Sequence, residues 1–397
     1  MKYALILSLT FLLLTGCFAD KEPGLSVLNN PASDNSSLPR LFTDNTGTVF
    51  LSWVEEDQNV AMLKYSSFDD DSWSQPQTVA SNSGWFVNWA DFPSIIAKDG
   101  KPIAAHWLDK IPGNSYSYNV AISRFNGSWS DPQIPHDDST ATEHGFVSMI
   151  PDTDSTFAAI WLDGRNTAGR EHHEYSDAGK AMTLRGAFID QNSGIIESFE
   201  IDSNVCDCCN TAIAKTENGL IAAYRNRTED EIRDIYITRY TNGAWLEPKA
   251  VADDNWEIAA CPVNGPAIDA EQKNIAVAWF TGAEGKARVK LSISSDNGES
   301  FSEPVIVDEE GPLGRVDLDI DQDKIWMSWI ATIDNETNIQ VRSYDFSGNK
   351  LATFSIPEFS KNRSSGFPQI TPHKDGLIVA YTDISGDNPS IKTAVLK

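Results

Sequence analysis

Residues 275–282 read Ile-Ala-Val-Ala-Trp-Phe-Thr-Gly, a short apolar run that climbs to an aromatic residue. The same shape recurs as VFLSWVE at 49–55, PIAAHWLD at 102–109, FAAIWLDG at 157–164 and LIAAYRNR at 220–227. It appears again as IWMSWIA at 325–331 and LIVAYTD at 377–383. From Trp53 to Tyr381 the aromatic positions are spaced 54, 54, 63, 55, 50 and 52 residues apart. A period of that length marks supersecondary units that are stacked or arranged radially.

Around each run the unit reads as four short strands. A first strand follows a small residue or proline, as in LPRLF at 38–42, DFPSII at 91–96, GFVSMI at 145–150 and GFPQIT at 366–371. A turn rich in Asp, Asn and Gly leads into the apolar run. A third, alternating strand follows, such as YNVAISRF or RVKLSIS, and a fourth ends near proline, such as SWSQPQTV or SFSEPVIV. Strands of four to eight residues between turn signals, with no long 3.6-residue period, indicate an all-β chain. Four-stranded units of this length are propeller blades.

The ends specify closure. The seventh unit stops at SIKTAVLK, after its third strand, while KEPGLSVL at 21–28 resembles the fourth strands elsewhere. An N-terminal strand paired into the last blade leaves no free sheet edge. The expectation is a β-propeller of seven blades rather than six, its ring closed by the N-terminal strand.

Residues 1–16 read as a signal sequence ending Leu14-Thr15-Gly16-Cys17, a lipobox whose Cys17 thiol would carry the lipid. The apolar run is too short to span a bilayer. The expected organisation is a lipoprotein signal peptide at 1–16, a lipidated tether and closing strand at 17–36, and one propeller domain at 37–397. The chain is then an exported bacterial lipoprotein, periplasmic or at the cell surface, anchored by acyl chains rather than spanning. The net charge of −26 falls by one more when Lys2 is removed with the signal. Such a charge disfavours nucleic acid and anionic lipid as partners. A monomer is expected.

Ser294-Ser295-Asp296-Asn297-Gly298-Glu299-Ser300-Phe301 matches the Asp-box, S-x-D-x-G-x-x-[W/F]. There the Asp caps the turn's own amides and Gly takes a positive φ. Degraded copies run from Ser66 to Trp73, Ser123 to Trp129 and Thr238 to Trp245. On these motifs, and on strings such as WFVNWADFP, EHGF, WLDGRN, CDCC and CPVNGP, the chain resembles the sialidase (neuraminidase) superfamily, in particular bacterial exo-α-sialidase-like lipoproteins. The resemblance implies a glycosidase acting on sialic acid or another acidic sugar, with no cofactor required. Asp-boxes are structural, so they bear on fold more than on activity.

In a propeller, loops before the first strand and after the second share one face. Before first strands stand Arg40, Asp91, Glu143, His144, the Cys206-Asp207-Cys208-Cys209 run, Cys261, Arg315 and Arg363. After second strands stand Glu55, Asp109, Asp163, Arg165, Arg225, Arg227 and Asp383. The resemblance implies three arginines on the substrate carboxylate, drawn from Arg40, Arg225 or Arg227, and Arg315, with Arg165 and Arg363 as rivals. It also implies an aspartate acid/base, best placed at Asp91. The remaining catalytic element is a tyrosine nucleophile paired with a glutamate, for which Tyr381 or Tyr224, with Glu229 or Glu231, are the candidates. Arg40 stands in Pro39-Arg40-Leu41, where the family has R-I-P.

Beyond the lipidated residue, Cys206, Cys208, Cys209 and Cys261 remain. Four cysteines allow three pairings. A bridge from the 206–209 loop to Cys261 would staple neighbouring blades. Two disulfides, one disulfide beside a two-thiol metal or redox site, and a fuller copper or zinc site that draws in His144 all stay open. His136, Asp138 and Glu143 lie near His144, and His172 and His173 in another loop. His106, inside an apolar strand, reads as a core histidine. The competing functions are therefore the glycosidase, a metal- or thiol-dependent propeller, and a module that binds a glycan or protein without chemistry.

Overall fold

The computed structural model describes residues 24–69, 71–113, 116–170, 180–374 and 376–397. Within them the chain forms seven antiparallel sheets arranged as a propeller. The innermost strands are Ser36–Thr43, Ser94–Lys98, His144–Pro151, Ala212–Thr216, Ala267–Glu271, Pro312–Asp321 and Gln369–His373. The fourth, Ala212–Thr216, has no counterpart among the first strands read from the sequence, because the cysteine loop before it obscures the repeat. The closing strand is present. Leu25–Val27 pairs with Ser390–Leu396, Leu25 opposite Leu396 and Val27 opposite Ala394. Blade two has three regular strands, and a bridge from Ile122 to Gln133 marks its outer position.

The repeated apolar runs become the second strands, and their aromatics pack between blades. Trp53, Trp161, Trp279 and Trp329 are fully buried. A buried indole N–H needs an acceptor. Trp53, Trp107 and Trp161 donate to the acid two residues on, Glu55, Asp109 and Asp163. Trp279 reaches Asp254 in a loop, and Trp329 reaches Asp308 at the end of the strand Val305–Asp308. Three of the acids that the sequence places on the rim therefore serve the core.

The turn at 294–301 has the geometry its motif requires. Asp296 accepts the Ser300 amide at 2.9 Å, and Gly298 sits at φ +77°, where a Cβ would lie 2.7 Å from Ile221. In three blades a hydroxyl on the third strand donates to a carbonyl past the turn: Ser66 to Ser74, Ser123 to Ser130 and Thr238 to Leu246. Blade five makes the same bond from Ser292 to Ser302. The copies thus align on Ser292, two residues before the start of the full motif.

Three innermost strands carry a register shift at the same level, between Ser37 and Arg40, Gly145 and Ser148, and Gly314 and Asp317. Inside each shift a non-glycine residue takes a left-handed conformation: Leu38 at φ +60°, Phe146 at +53° and Arg315 at +55°. Bulges of this kind re-aim side chains. These three lie where the strands meet one end of the channel. Among the described residues no helix is long and apolar enough to cross a membrane. The signal sequence with Cys17, and His172 and His173, lie outside the described residues.

Candidate active site

The central channel is lined by innermost strands of all seven blades, including Arg40, Ser94, Ser148, Ile213, Ile268, Asp317 and Gln369. Above it opens a pocket of about 820 Å³, its open mouth included, formed by loops that lead into those strands and by segments that follow the second strands of blades two and three. Its walls include Trp89, Asp91, Tyr116, Tyr118, Glu143, Arg170, Asp207, the Cys208–Cys261 pair and Arg363. Asp91 lines both spaces.

Asp91 is buried. Its Oδ1 accepts the Phe146 amide at 2.7 Å. Its other oxygen lies against Gly145, where a Cβ would come within 2.0 Å of it. Tyr118 is 2 % exposed and its ring stacks on Phe86, with centroids 4.2 Å apart and planes 10° from parallel. Its hydroxyl faces the carboxyls of both Asp91 and Glu143.

Burial pushes the Asp91 carboxyl up to about 7, against the pull of the Phe146 amide and the Tyr118 hydroxyl. Burial, with the charges of Asp207 and Asp91, pushes Glu143 up to about 8, while Arg170 opposes the shift. Burial and the two acids raise the Tyr118 phenol well above its ordinary value. A buried carboxyl disfavours its charged form, and two carboxyls sharing a site do not readily ionise together. Arg170 lies 2.9 Å from Asp207 and donates to the Lys180 carbonyl at 3.0 Å. Arg363 is exposed and rests on the Trp89 ring, 5.8 Å from its centroid.

The residues expected from sequence divide into groups. Asp91 and Arg363 share the mouth, and Arg40 lies below in the channel, donating to Gln369 at 2.6 Å. Arg315 stacks on Trp89 from below. Its guanidinium is spent on the carbonyls of Asn362 and Gly366 and the Ser365 hydroxyl, at 2.9 to 3.1 Å. Burial and the neighbouring Arg363 lower it to about 10. Arg225 is buried and donates to the carbonyls of Arg233, Asn264 and Phe280.

Glu231 clamps Arg227 at 2.6 Å and Arg233 at 2.7 Å, away from Tyr118. Tyr224 donates to Asp202 in the core. Tyr381 lines a separate surface hollow with Phe359 and Asp383. The tyrosine beside two acids is Tyr118, which the sequence reading did not single out. Its only signal was an aromatic at the start of a third strand.

Cys208 and Cys261 form a disulfide between the loops of neighbouring blades. Cys206 and Cys209 are buried free thiols with sulfurs 3.5 Å apart. Burial alone would raise Cys206, but the Cys209 thiol and the Arg233 guanidinium, 3.4 Å away, lower it; Cys209 is driven upward. His144 is not with the cysteines. It stacks on His136 in a second cluster with Asp138, Asp163 and Arg165. His106 is wholly buried against Ser94, and burial lowers it to about 3, as suits a core residue.

Comparison with protein families and with curated proteins finds no match. Solved structures of similar shape include a Hadza microbial sialidase, 15% identical with a TM-score of 0.47, over 79% of this chain and 66% of that one. This chain thus spans just under two thirds of that protein's length. A polysaccharide lyase is 8% identical with a TM-score of 0.49, over 92% of this chain and 90% of that one. A subtype N11 neuraminidase-like protein of the strain A/flat-faced bat/Peru/033/2010 (H18N11) is 11% identical with a TM-score of 0.43, over 82% of this chain and 88% of that one. The propeller assignment rests on this chain's own strand pairing.

Proposed function

We propose that the propeller is a glycoside hydrolase that releases sialic acid or another acidic sugar, with the mouth of the channel as its active site. The observation that carries this reading is Tyr118 held between the buried Asp91 carboxyl and the half-buried Glu143 carboxyl, at a pocket with arginines on its wall. Cleaving a glycosidic bond requires a proton for the leaving oxygen and a nucleophile at the anomeric carbon. Near neutral pH the Asp91–Glu143 pair carries about one proton between them. Glu143 is the more basic of the two, so the proposed step draws on the minor form in which the shared proton sits on Asp91 and Glu143 is ionised, and Asp91 gives that proton to the leaving oxygen. Tyr118 attacks the anomeric carbon while its own proton passes to Glu143. Water then hydrolyses the tyrosyl-linked sugar, with Asp91 as base and the phenolic proton restored from Glu143. Arg363 beside Trp89 offers the sugar carboxylate a cation and the ring a stacking face.

Attachment to a membrane surface through lipidated Cys17, and action as a monomer on an acidic glycan, belong to the same proposal. The test is turnover of fluorogenic sialosides and glucuronides by the purified protein. The expected result is hydrolysis that falls roughly a hundredfold or more in Tyr118→Phe, with the melting temperature held. Undiminished turnover in that variant, or none with any acidic glycoside, would sink the reading.

A further inference from the structure

At the pocket wall four sulfurs gather where two loops meet. Cys208 and Cys261, joined as a disulfide, line the mouth. Cys206 and Cys209 are a C-x-x-C pair of free thiols, each 1 % exposed, with sulfurs 3.5 Å apart. The sulfurs of Cys206, Cys208 and Cys209 all lie within 4.8 Å of one another. A reduced pair thus sits against an oxidised one, and the proposed glycoside chemistry uses neither.

The surroundings distinguish the two thiols. Arg233 donates to the Cys206 sulfur at 3.4 Å, and Glu231 holds that guanidinium at 2.7 Å. Burial opposes ionisation of Cys206, but the Cys209 thiol, as a donor, and the Arg233 charge bring it below its ordinary value, with Asp207 working against them. Burial drives Cys209 upward, so it keeps its proton while Cys206 is ionised. The thiolate is the nucleophile in disulfide exchange, which makes Cys206 the attacking sulfur. Its target is Cys208. Cys209 is adjacent to Cys208 in sequence, and a bridge between adjacent cysteines is strained.

We propose that the four cysteines form a thiol–disulfide relay, in which the buried Cys206/Cys209 dithiol reduces the Cys208–Cys261 bridge and places two thiols on the pocket wall. In the first step the Cys206 thiolate attacks the Cys208 sulfur. The Cys206–Cys208 bond forms, the Cys208–Cys261 bond breaks, and Cys261 leaves as a thiolate that takes up the proton Cys206 released. In the second step Cys209 gives up its proton and attacks Cys206. The Cys206–Cys209 bond forms, and Cys208 leaves as a thiolate and is protonated in turn. Two electrons pass between the pairs and the proton count is unchanged, so the exchange requires no outside oxidant or reductant. It unties the loops that lead into blades four and five. The thiols it uncovers are of the class that attacks disulfides and soft electrophiles. The relay does not rest on the glycosidase reading, since it is read from the cysteines alone.

The experiment incubates the folded protein with excess maleimide at mildly alkaline pH, quenches in acid and maps the tryptic digest by mass spectrometry. Trypsin leaves Cys206, Cys208 and Cys209 on one peptide and Cys261 on another. Maleimide caps thiols irreversibly and so draws the exchange forward. The expected product carries one label on Cys261 and one on Cys208 or Cys209, with the remaining bridge inside the 206–209 peptide and the two peptides unlinked. Peptides that stay joined through Cys208 and Cys261 would overturn the relay, whether Cys206 and Cys209 are labelled directly or no label enters. The wild-type map decides this without a variant. Cys206→Ser then tests the nucleophile: with its fold verified by circular dichroism, the variant should lose the Cys261 label. A label that persists undiminished would overturn Cys206 as the attacking sulfur.

Discussion

The Phe146 amide donates to Asp91 Oδ1 at 2.7 Å, and it does so from a bulge in which Phe146 is held at φ +53°. Asp91 comes from the loop leading into blade two and Phe146 from the innermost strand of blade three, so the proposed acid is set by a junction between blades. A non-glycine residue in that conformation costs of order 1–3 kcal/mol and is retained where the surroundings enforce it. Here it turns a backbone N–H toward a carboxyl.

Gly145 is the point at which this junction is open to test. A methyl group there would sit 2.0 Å from Asp91 Oδ2 and 3.0 Å from the Tyr118 ring. Gly145→Ala must therefore push Asp91 aside. Such overpacking is expected to cost about 1–3 kcal/mol of stability and, on the proposed mechanism, most of the turnover. Steady-state kinetics beside thermal melting will decide. A variant with unchanged kcat would show that the Asp91 position is not critical.

A second prediction follows from protonation. The Asp91 carboxyl rises from 3.8 to about 7 on folding, and Glu143 from 4.5 to about 8. Between those values the folded protein keeps protons that the unfolded chain has released. Stability from these groups is full below about pH 4 and is lost as pH rises through the folded values. Asp91→Asn keeps an acceptor for the Phe146 amide and removes the titration. The variant should gain on the wild type from about pH 4 to 7 and then hold level, by up to a few kcal/mol. Parallel melting curves for the two proteins across that range would contradict the assignment.

The blade number and the closing strand were legible because they depend on patterns that repeat. Six of the seven second strands bury their aromatic and the seventh half-buries Tyr381, so the apolar run survives in every unit, and LSV at 25–27 has the alternation a blade edge requires. The rim was legible only as a list of positions. Glu55, Asp109 and Asp163 look like functional acids, yet they accept indole N–H groups; Arg225 and Arg315 look like substrate arginines, yet they satisfy carbonyls. Whether a polar side chain faces a pocket or a buried backbone group depends on contacts distant in the chain. Tyr118 was missed for the same reason, since Asp91 reaches it from the loop that opens its own blade and Glu143 from the loop before the next.

The disulfide is a third point of test. Cys208 and Cys261 are 53 residues apart in sequence and tie two loops of the mouth. Cys261→Ser should lower stability by about 2–5 kcal/mol, and reductant should lower the melting temperature of the wild type by a matching amount. If reductant leaves the wild type unmoved, the bridge does not bear on stability. Thiol titration of the unfolded wild type should find Cys206 and Cys209 reactive before reduction.

Arg225 and Arg363 make opposite predictions, although both are arginines of the expected rim. Arg225 is 2 % exposed and gives its hydrogens to three backbone carbonyls, while its guanidinium lies 4.8 Å from the Trp256 ring centroid. Removing it leaves buried acceptors unpaired, each costing about 1–3 kcal/mol. Lysine cannot reproduce a planar fork that reaches several acceptors at once. Arg225→Lys and Arg225→Ala should therefore both lower the melting temperature sharply. Arg363 is exposed on the face of Trp89, so Arg363→Ala should leave stability within about 0.5 kcal/mol. If it holds the carboxylate of an acidic sugar, its loss should raise KM for an acidic glycoside while leaving a neutral one unaffected. A stable Arg225→Ala protein with raised KM would reverse these roles and return Arg225 to the substrate side of the rim.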